Sequence, residues 1–123
     1  MALTVRWNKC QAYLVEEPCR LLDTDLGHGR FNAQGVYVVW HSGRDAGALK
    51  AGHGVIKERL QAERTDPKVL EYELNGLYFT WAANVPAEQR EGVVRYLCDQ
   101  LKPKAQTDMP NAEPVEVNLP ELP

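Results

Sequence analysis

Apolar residues are densest at Val36-Tyr37-Val38-Val39-Trp40, a β-branched and aromatic run bounded by Gly35 and by His41-Ser42-Gly43. A run of this kind between turn residues predicts a strand over 36–40. Ala48–Ala51 is shorter and contains Lys50, and its position between two turn signals predicts a second strand. Gly52-His53-Gly54 reads as a loop leading into a helix. There Ile56 and Leu60 lie four apart on one face, and Lys57, Arg59 and Arg64 occupy the other. Farther on, Thr65-Asp66-Pro67 reads as a turn, and Leu77–Ala82 predicts a third strand after the turn signal Asn75-Gly76. Leu70, Tyr72 and Leu74 alternate with polar residues, which predicts a partner strand over 69–74 and a two-residue hairpin. Pro86 suits the first turn of a helix with Glu88 and Glu91 near its N-terminus, and Val93, Val94, Leu97 and Leu101 give it a buried stripe.

The two ends are less regular. Leu3, Val5 and Trp7 alternate as in a short strand, Cys10 to Val15 fits strand or helix, and Pro18 breaks what precedes it. Asp23-Thr24-Asp25-Leu26-Gly27-His28 lacks the later glutamate of a calcium loop, so it reads as a turn with Asx-type hydrogen bonds. From Lys104 onward the density of proline precludes a helix. Val115, Val117 and Leu119 alternate, as one strand laid on an exposed edge or as part of a loose acidic extension. These elements predict a single domain over 1–103 followed by a Pro-rich acidic extension over 104–123. The class is α/β (α+β), with a small central antiparallel sheet of about three strands flanked by helices.

Composition narrows the setting. A chain of 123 residues, 44% hydrophobic and 25% charged, is long enough to bury one core, and no apolar run approaches the roughly 18 residues of a membrane span. The first residues lack the pattern of a secretory signal. Three cysteines, Cys10, Cys19 and Cys98, are an odd number without Cys-x-x-Cys spacing, which predicts reduced thiols and a cytoplasmic protein. The net charge of −3 lies in the extension, and residues 1–103 balance at 13 basic against 13 acidic. That balance argues against tight, nonspecific nucleic-acid binding, which leaves a basic footprint.

Gly35-Val36-Tyr37 resembles the first half of the signature of the GIY-YIG endonucleases. Lys50-Ala51-Gly52 stands where the second half falls, and the following helix, Ile56 to Leu60, carries an arginine at Arg59. The likeness runs from Gly35 to Pro103. It implies a small α/β domain that cuts a phosphodiester with one metal ion, in which Tyr37 helps to activate the attacking water and Arg59 holds the scissile phosphate. Lys50 replaces the second tyrosine. The family's metal-binding glutamate falls at Val94, and a valine cannot ligate Mg²⁺, which takes hard oxygen ligands. Glu91, three residues earlier on the same face, is a weak candidate in its place, with a solvated first-turn acid as the plainer reading.

Around this signature His53 is a candidate phosphate contact at the mouth of the helix, with Lys57 beside it, while His41 reads as a turn residue. A tyrosine acting as a base needs its pKa lowered, and Lys50 or Arg59 could supply the cation. Two functions follow. In the first the domain is catalytically degenerate and binds nucleic acid or a protein partner, a homodimer included. In the alternative it is an active metal-dependent nuclease on DNA or RNA, with Mg²⁺ as cofactor. A third reading takes the likeness as accidental.

Overall fold

The computed structural model describes residues 2–12 and 15–121, with the side chain of Ala12 left aside. Its centre is β4 (Gln34–His41), the apolar run at the heart of the sequence. Antiparallel partners bind both of its edges, β5 (Gly47–Val55) on one side and β6 (Leu77–Ala83) on the other. A short β3 (Cys19–Arg20) pairs with β6, so the main sheet has four strands in the order β3-β6-β4-β5. A separate two-stranded ribbon joins β1 (Cys10–Ala12) to β2 (Val15–Glu17). The α+β class stands, with a sheet larger than the three strands expected.

Alternation along β4 sends successive side chains to opposite faces. Tyr37 and Val39 enter one core with Phe79, Trp81, Ile56, Leu60 and Val69. Val36 and Val38 enter a second core with Ala82, Val93, Val94 and Leu97. The first face is thus covered by α1 (Ile56–Glu63) and α2 (Pro67–Leu70), and the second by α3 (Arg90–Leu101). Burial on both faces explains why β4 reads as a continuous apolar run instead of an alternating one. Gly35 allows β4 to approach β6: a Cβ there would lie 2.1 Å from the Ala82 carbonyl oxygen.

Three local expectations are corrected. Residues 69–74 form no strand. Asp66 accepts a hydrogen bond from the Lys68 amide at 2.9 Å and caps α2, with Pro67 at its first position; a 3-10 turn, Glu73–Asn75, follows. Leu74, expected to point inward, is fully exposed. Second, β5 extends through Gly52-His53-Gly54, so these residues are strand, paired with Gly35, Val36 and Tyr37, and not a loop. The pairing shifts register between Val39 and Trp40, opposite Leu49.

Third, Cys10 and Cys19 are joined in a disulfide, and only Cys98 is a free cysteine. The expectation of three reduced thiols fails, and with it the ground on which a cytoplasmic setting rested. The bridge ties the start of the β1–β2 ribbon to the edge strand of the main sheet. The Asp25 turn forms as expected, its carboxylate accepting from the Gly27 amide at 2.9 Å.

The C-terminal segment lies along the body. Lys104 and Ala105 donate backbone hydrogen bonds to the carbonyls of Ala48 and Leu49 at 3.0 and 2.9 Å, continuing past the outer edge of β5. Farther on, Val115 donates to Gly92 of α3, and Val117 bridges Leu3 in parallel and is buried. Asn118 holds the backbone of Val5 through both ends of its amide, at 2.7 and 2.9 Å, while the Trp7 indole donates to the Asn118 carbonyl at 2.7 Å. Among the described residues no helix is long and apolar enough to cross a membrane.

Closing a nine-residue separation by a disulfide is worth about 2.5 kcal/mol in the chain-entropy account. Thiol titration of the denatured, unreduced protein therefore finds one reactive group, and reduction raises it to three. The Cys10→Ser/Cys19→Ser double variant melts several degrees lower. Three reactive groups before reduction would refute the pairing.

Candidate functional site

Tyr37 projects from the middle of β4 toward α1 and lies directly across from Gly52 of β5. The phenol ring covers that glycine so closely that a Cβ at Gly52 would sit 2.5 Å from the hydroxyl oxygen. Gly52 is thus a cradle, and any side chain at this position displaces the phenol. The tyrosine is 1% exposed and forms the floor of a cleft of about 360 Å³ at the outer edge of the sheet.

The elements that meet there bring most of the predicted residues together. Lys50 and His53 come from β5, Arg59 from α1, and Glu91 from the first turn of α3. Lys57 does not line the cleft; it is half-buried elsewhere on α1. His53 belongs to the strand, three residues before the helix begins, so its place in the cleft comes from the sheet edge and not from a helix mouth. His41, read as a turn residue, is buried, stacks on Tyr72 at 4.6 Å and meets the Lys104 ammonium at 2.8 Å.

Lys50 is in the cleft wall, but its ammonium is committed to other partners. It pairs with Asp66 at 3.1 Å and stands 3.9 Å from Glu63. Asp66 uses its other oxygen to cap α2, so one carboxylate fastens the helix and the strand lysine together. Burial pushes the Asp66 carboxyl up, but the Lys68 amide and Lys50 together outweigh it and leave its pKa below the ordinary value. Glu63 is the stranger member: it is 4% exposed, and its Oε2 has no hydrogen-bond partner among the described residues. Burial raises its pKa, with Lys50 pulling down and Asp66 pushing up.

Glu63 is absent from the residues expected here, although the sequence carries a signal for it. Ile56, Leu60 and Glu63 stand at i, i+4 and i+7, so the helical period itself assigns this carboxylate to the buried face. Asp66 is expected from the sequence only in a turn. Gln106, Asp108, Met109 and Pro110, from the C-terminal segment, complete the cleft and were not anticipated. Gln106 is fixed there because its side-chain amide pairs with both the amide and the carbonyl of Ala51, at 2.9 and 3.1 Å, as a neighbouring strand would.

Electrostatics revise the role of the tyrosine. Burial is the largest influence on Tyr37, and with Glu63 it pushes the phenol up to about 12, while Arg59 pulls the other way and loses. The expected lowering by a neighbouring cation is therefore not achieved. At neutral pH the hydroxyl is a neutral donor or acceptor, not a phenolate base. Arg59 is exposed at the cleft and hydrogen-bonds the Tyr37 side chain, and the several N–H donors of its planar guanidinium suit phosphate oxygens.

Toward a divalent cation the cleft offers two exposed carboxylates, Glu91 and Asp108, from separate segments. Val94, where the resemblance requires the metal ligand, is 1% exposed and lines the same wall. Among the described residues no three His, Cys, Asp or Glu side chains converge as a metal site would need. No family model matches the chain, and no curated protein or solved structure gives a significant match.

A phenol whose folded pKa exceeds its unfolded value of 10 favours folding fully below pH 10, and that contribution is lost as pH rises toward about 12. Ultraviolet titration of wild type minus Tyr37→Phe thus shows the phenolate band of this one tyrosine only near pH 12; a band centred near 10 would refute the burial argument. Glu63 behaves alike on the acid side. Its raised pKa means that stability falls as pH rises between its unfolded and folded values. Glu63→Gln is expected to abolish that slope in melting temperature measured from mildly acidic to neutral pH, and an unchanged slope would count against a buried, strained carboxylate.

Proposed function

We propose that this domain binds phosphodiesters of nucleic acid through the cleft over Tyr37, as a GIY-YIG-like module that no longer cuts. The observation that carries the reading is the convergence of Arg59, His53 and the Tyr37 hydroxyl on one cleft. A guanidinium with unused donors, an imidazole and a neutral hydroxyl together match the oxygens of one phosphate. Gly52 supports the same reading, since its missing side chain leaves room for the phenol. Loss of cleavage is supported by the apolar Val94 at the expected ligand position and by a tyrosine that burial keeps protonated. Lys50, held by Asp66 and Glu63, acts as a positioning residue that sets the strand edge against α1 and α2.

A metal-dependent nuclease is the second reading, favoured by one observation: Glu91 lines the same cleft as Tyr37 and Arg59. In that case Glu91, helped by Asp108, would hold Mg²⁺, which would polarise the phosphate; this chain's own part would be to orient the phosphate with Arg59 and His53.

One experiment separates the two. Fluorescence anisotropy with labelled DNA and RNA strands measures binding, and the same samples with Mg²⁺ or Mn²⁺ are examined for nicking. Binding without cleavage is expected, weakened about tenfold or more by Arg59→Ala, the loss of one charge-assisted contact. Nicking that disappears in both Tyr37→Phe and Arg59→Ala would establish the nuclease instead. Folded protein that binds neither nucleic acid would overturn both.

A further inference from the structure

The cleft has two chemically different halves, and the phosphodiester reading above, on which the following rests, uses only one. Besides Arg59 and His53, the lining includes the apolar side chains of Val94 of α3 and of Met109 and Pro110 of the C-terminal segment. Met109 is 48% exposed, one of the few large apolar side chains left open to solvent. A phosphate gains nothing from such a surface, whereas the flat apolar face of a nucleobase does, and a thioether is a soft, polarizable partner for a ring.

Charge and size limit how much more of a nucleic acid can follow. The carboxylates of Glu91 and Asp108 lie at the same cleft, so an anionic backbone running on past the first phosphate meets repulsion. Residues 1–103 carry no net charge, 13 basic residues against 13 acidic. The cleft, about 360 Å³, lies at the small end of ligand pockets, which span roughly 300–1,000 Å³. A double helix hides its base faces in the stack and presents two rows of phosphates, which suits neither half. We infer that the cleft receives one unpaired nucleotide of a single strand, its phosphate at Arg59 and His53 and its base against Met109, Pro110 and Val94.

The test compares labelled oligothymidylate, oligouridylate and a mixed-sequence strand, alone and annealed to its complement, with the full chain by anisotropy across a salt series. The single strand is expected to bind about tenfold more tightly than its duplex. The slope of log affinity against log salt should be shallow, about −1, as for one or two neutralised phosphates on a single strand. Met109→Ala, a change at an exposed side chain, should weaken the single strand severalfold and leave the salt slope unchanged, whereas Arg59→Ala should flatten it. Binding of either homopolymer supports the assignment, and any difference between them reports the sugar and the thymine 5-methyl group together. Duplex bound as well as single strand, a slope several times steeper, or Met109→Ala without effect would overturn this inference while leaving phosphodiester binding intact. No binding of any strand by folded protein would overturn both.

Discussion

Double-sided burial of β4 is the constraint from which the rest of the molecule follows. A strand paired along both edges and covered on both faces has no exposed surface left to vary. Its two neighbours, the helices above and below, and the cleft at the edge of β5 all take their positions from it. Tyr37 occupies the middle of this strand, paired with Gly52 on one side and Trp81 on the other. Its hydroxyl can reach the cleft only because Gly52 leaves space where any other residue would place a Cβ. The phenol is consequently rigid and dry, and the rigidity that positions it is inseparable from the desolvation that keeps it protonated.

That coupling explains how the acidic groups behind the cleft are arranged. Lys50 faces the same side of the sheet as Tyr37 and would be a lone cation against a buried phenol. Asp66 and Glu63 neutralise it, and the three bind β5 to the end of α1 and the start of α2. Asp66 sits where water reaches it, with both oxygens engaged, and its charge is favoured. Glu63 is buried with an oxygen unmatched, and its charge is disfavoured. Two carboxylates on one lysine are thus driven in opposite directions by their surroundings, a division that follows from burial and hydrogen bonding and not from residue type.

Where the sequence could be read, the reason is local. The run at 36–40, the amphipathic pattern around Ile56 and Leu60, and the Val93–Leu97 stripe are strong periodic signals, and all three elements stand with slightly longer bounds. The segment 69–74 misleads because Leu70, Tyr72 and Leu74 alternate by coincidence, while Asp66-Pro67, a helix start, has the residues of a turn as well. The Cys10–Cys19 bond could not be read at all, since spacing alone does not reveal which strands approach. In the site, Tyr37, Lys50, His53, Arg59 and Glu91 line one cleft, and Lys57 does not. The wall from Gln106 to Pro110 was illegible because it depends on a long return of the chain that no local pattern encodes.

That return links binding to stability in a specific way. An edge strand such as β5 presents open backbone groups that invite pairing with other chains. Here Lys104 and Ala105 close the first part with backbone bonds, and Gln106 closes Ala51 with a side-chain amide that imitates a peptide. The substitution of a side chain for a strand at Gln106 releases the backbone beyond it from the sheet. Asp108, Met109 and Pro110 can therefore turn across the cleft instead of continuing along β5. Had the segment remained a fifth strand, it would have covered Gly52 and His53 and left no cleft over Tyr37. Pairing along β5 stops two residues short of His53, and the same glutamine that ends the pairing anchors the segment that brings Met109 and Pro110 to the cleft.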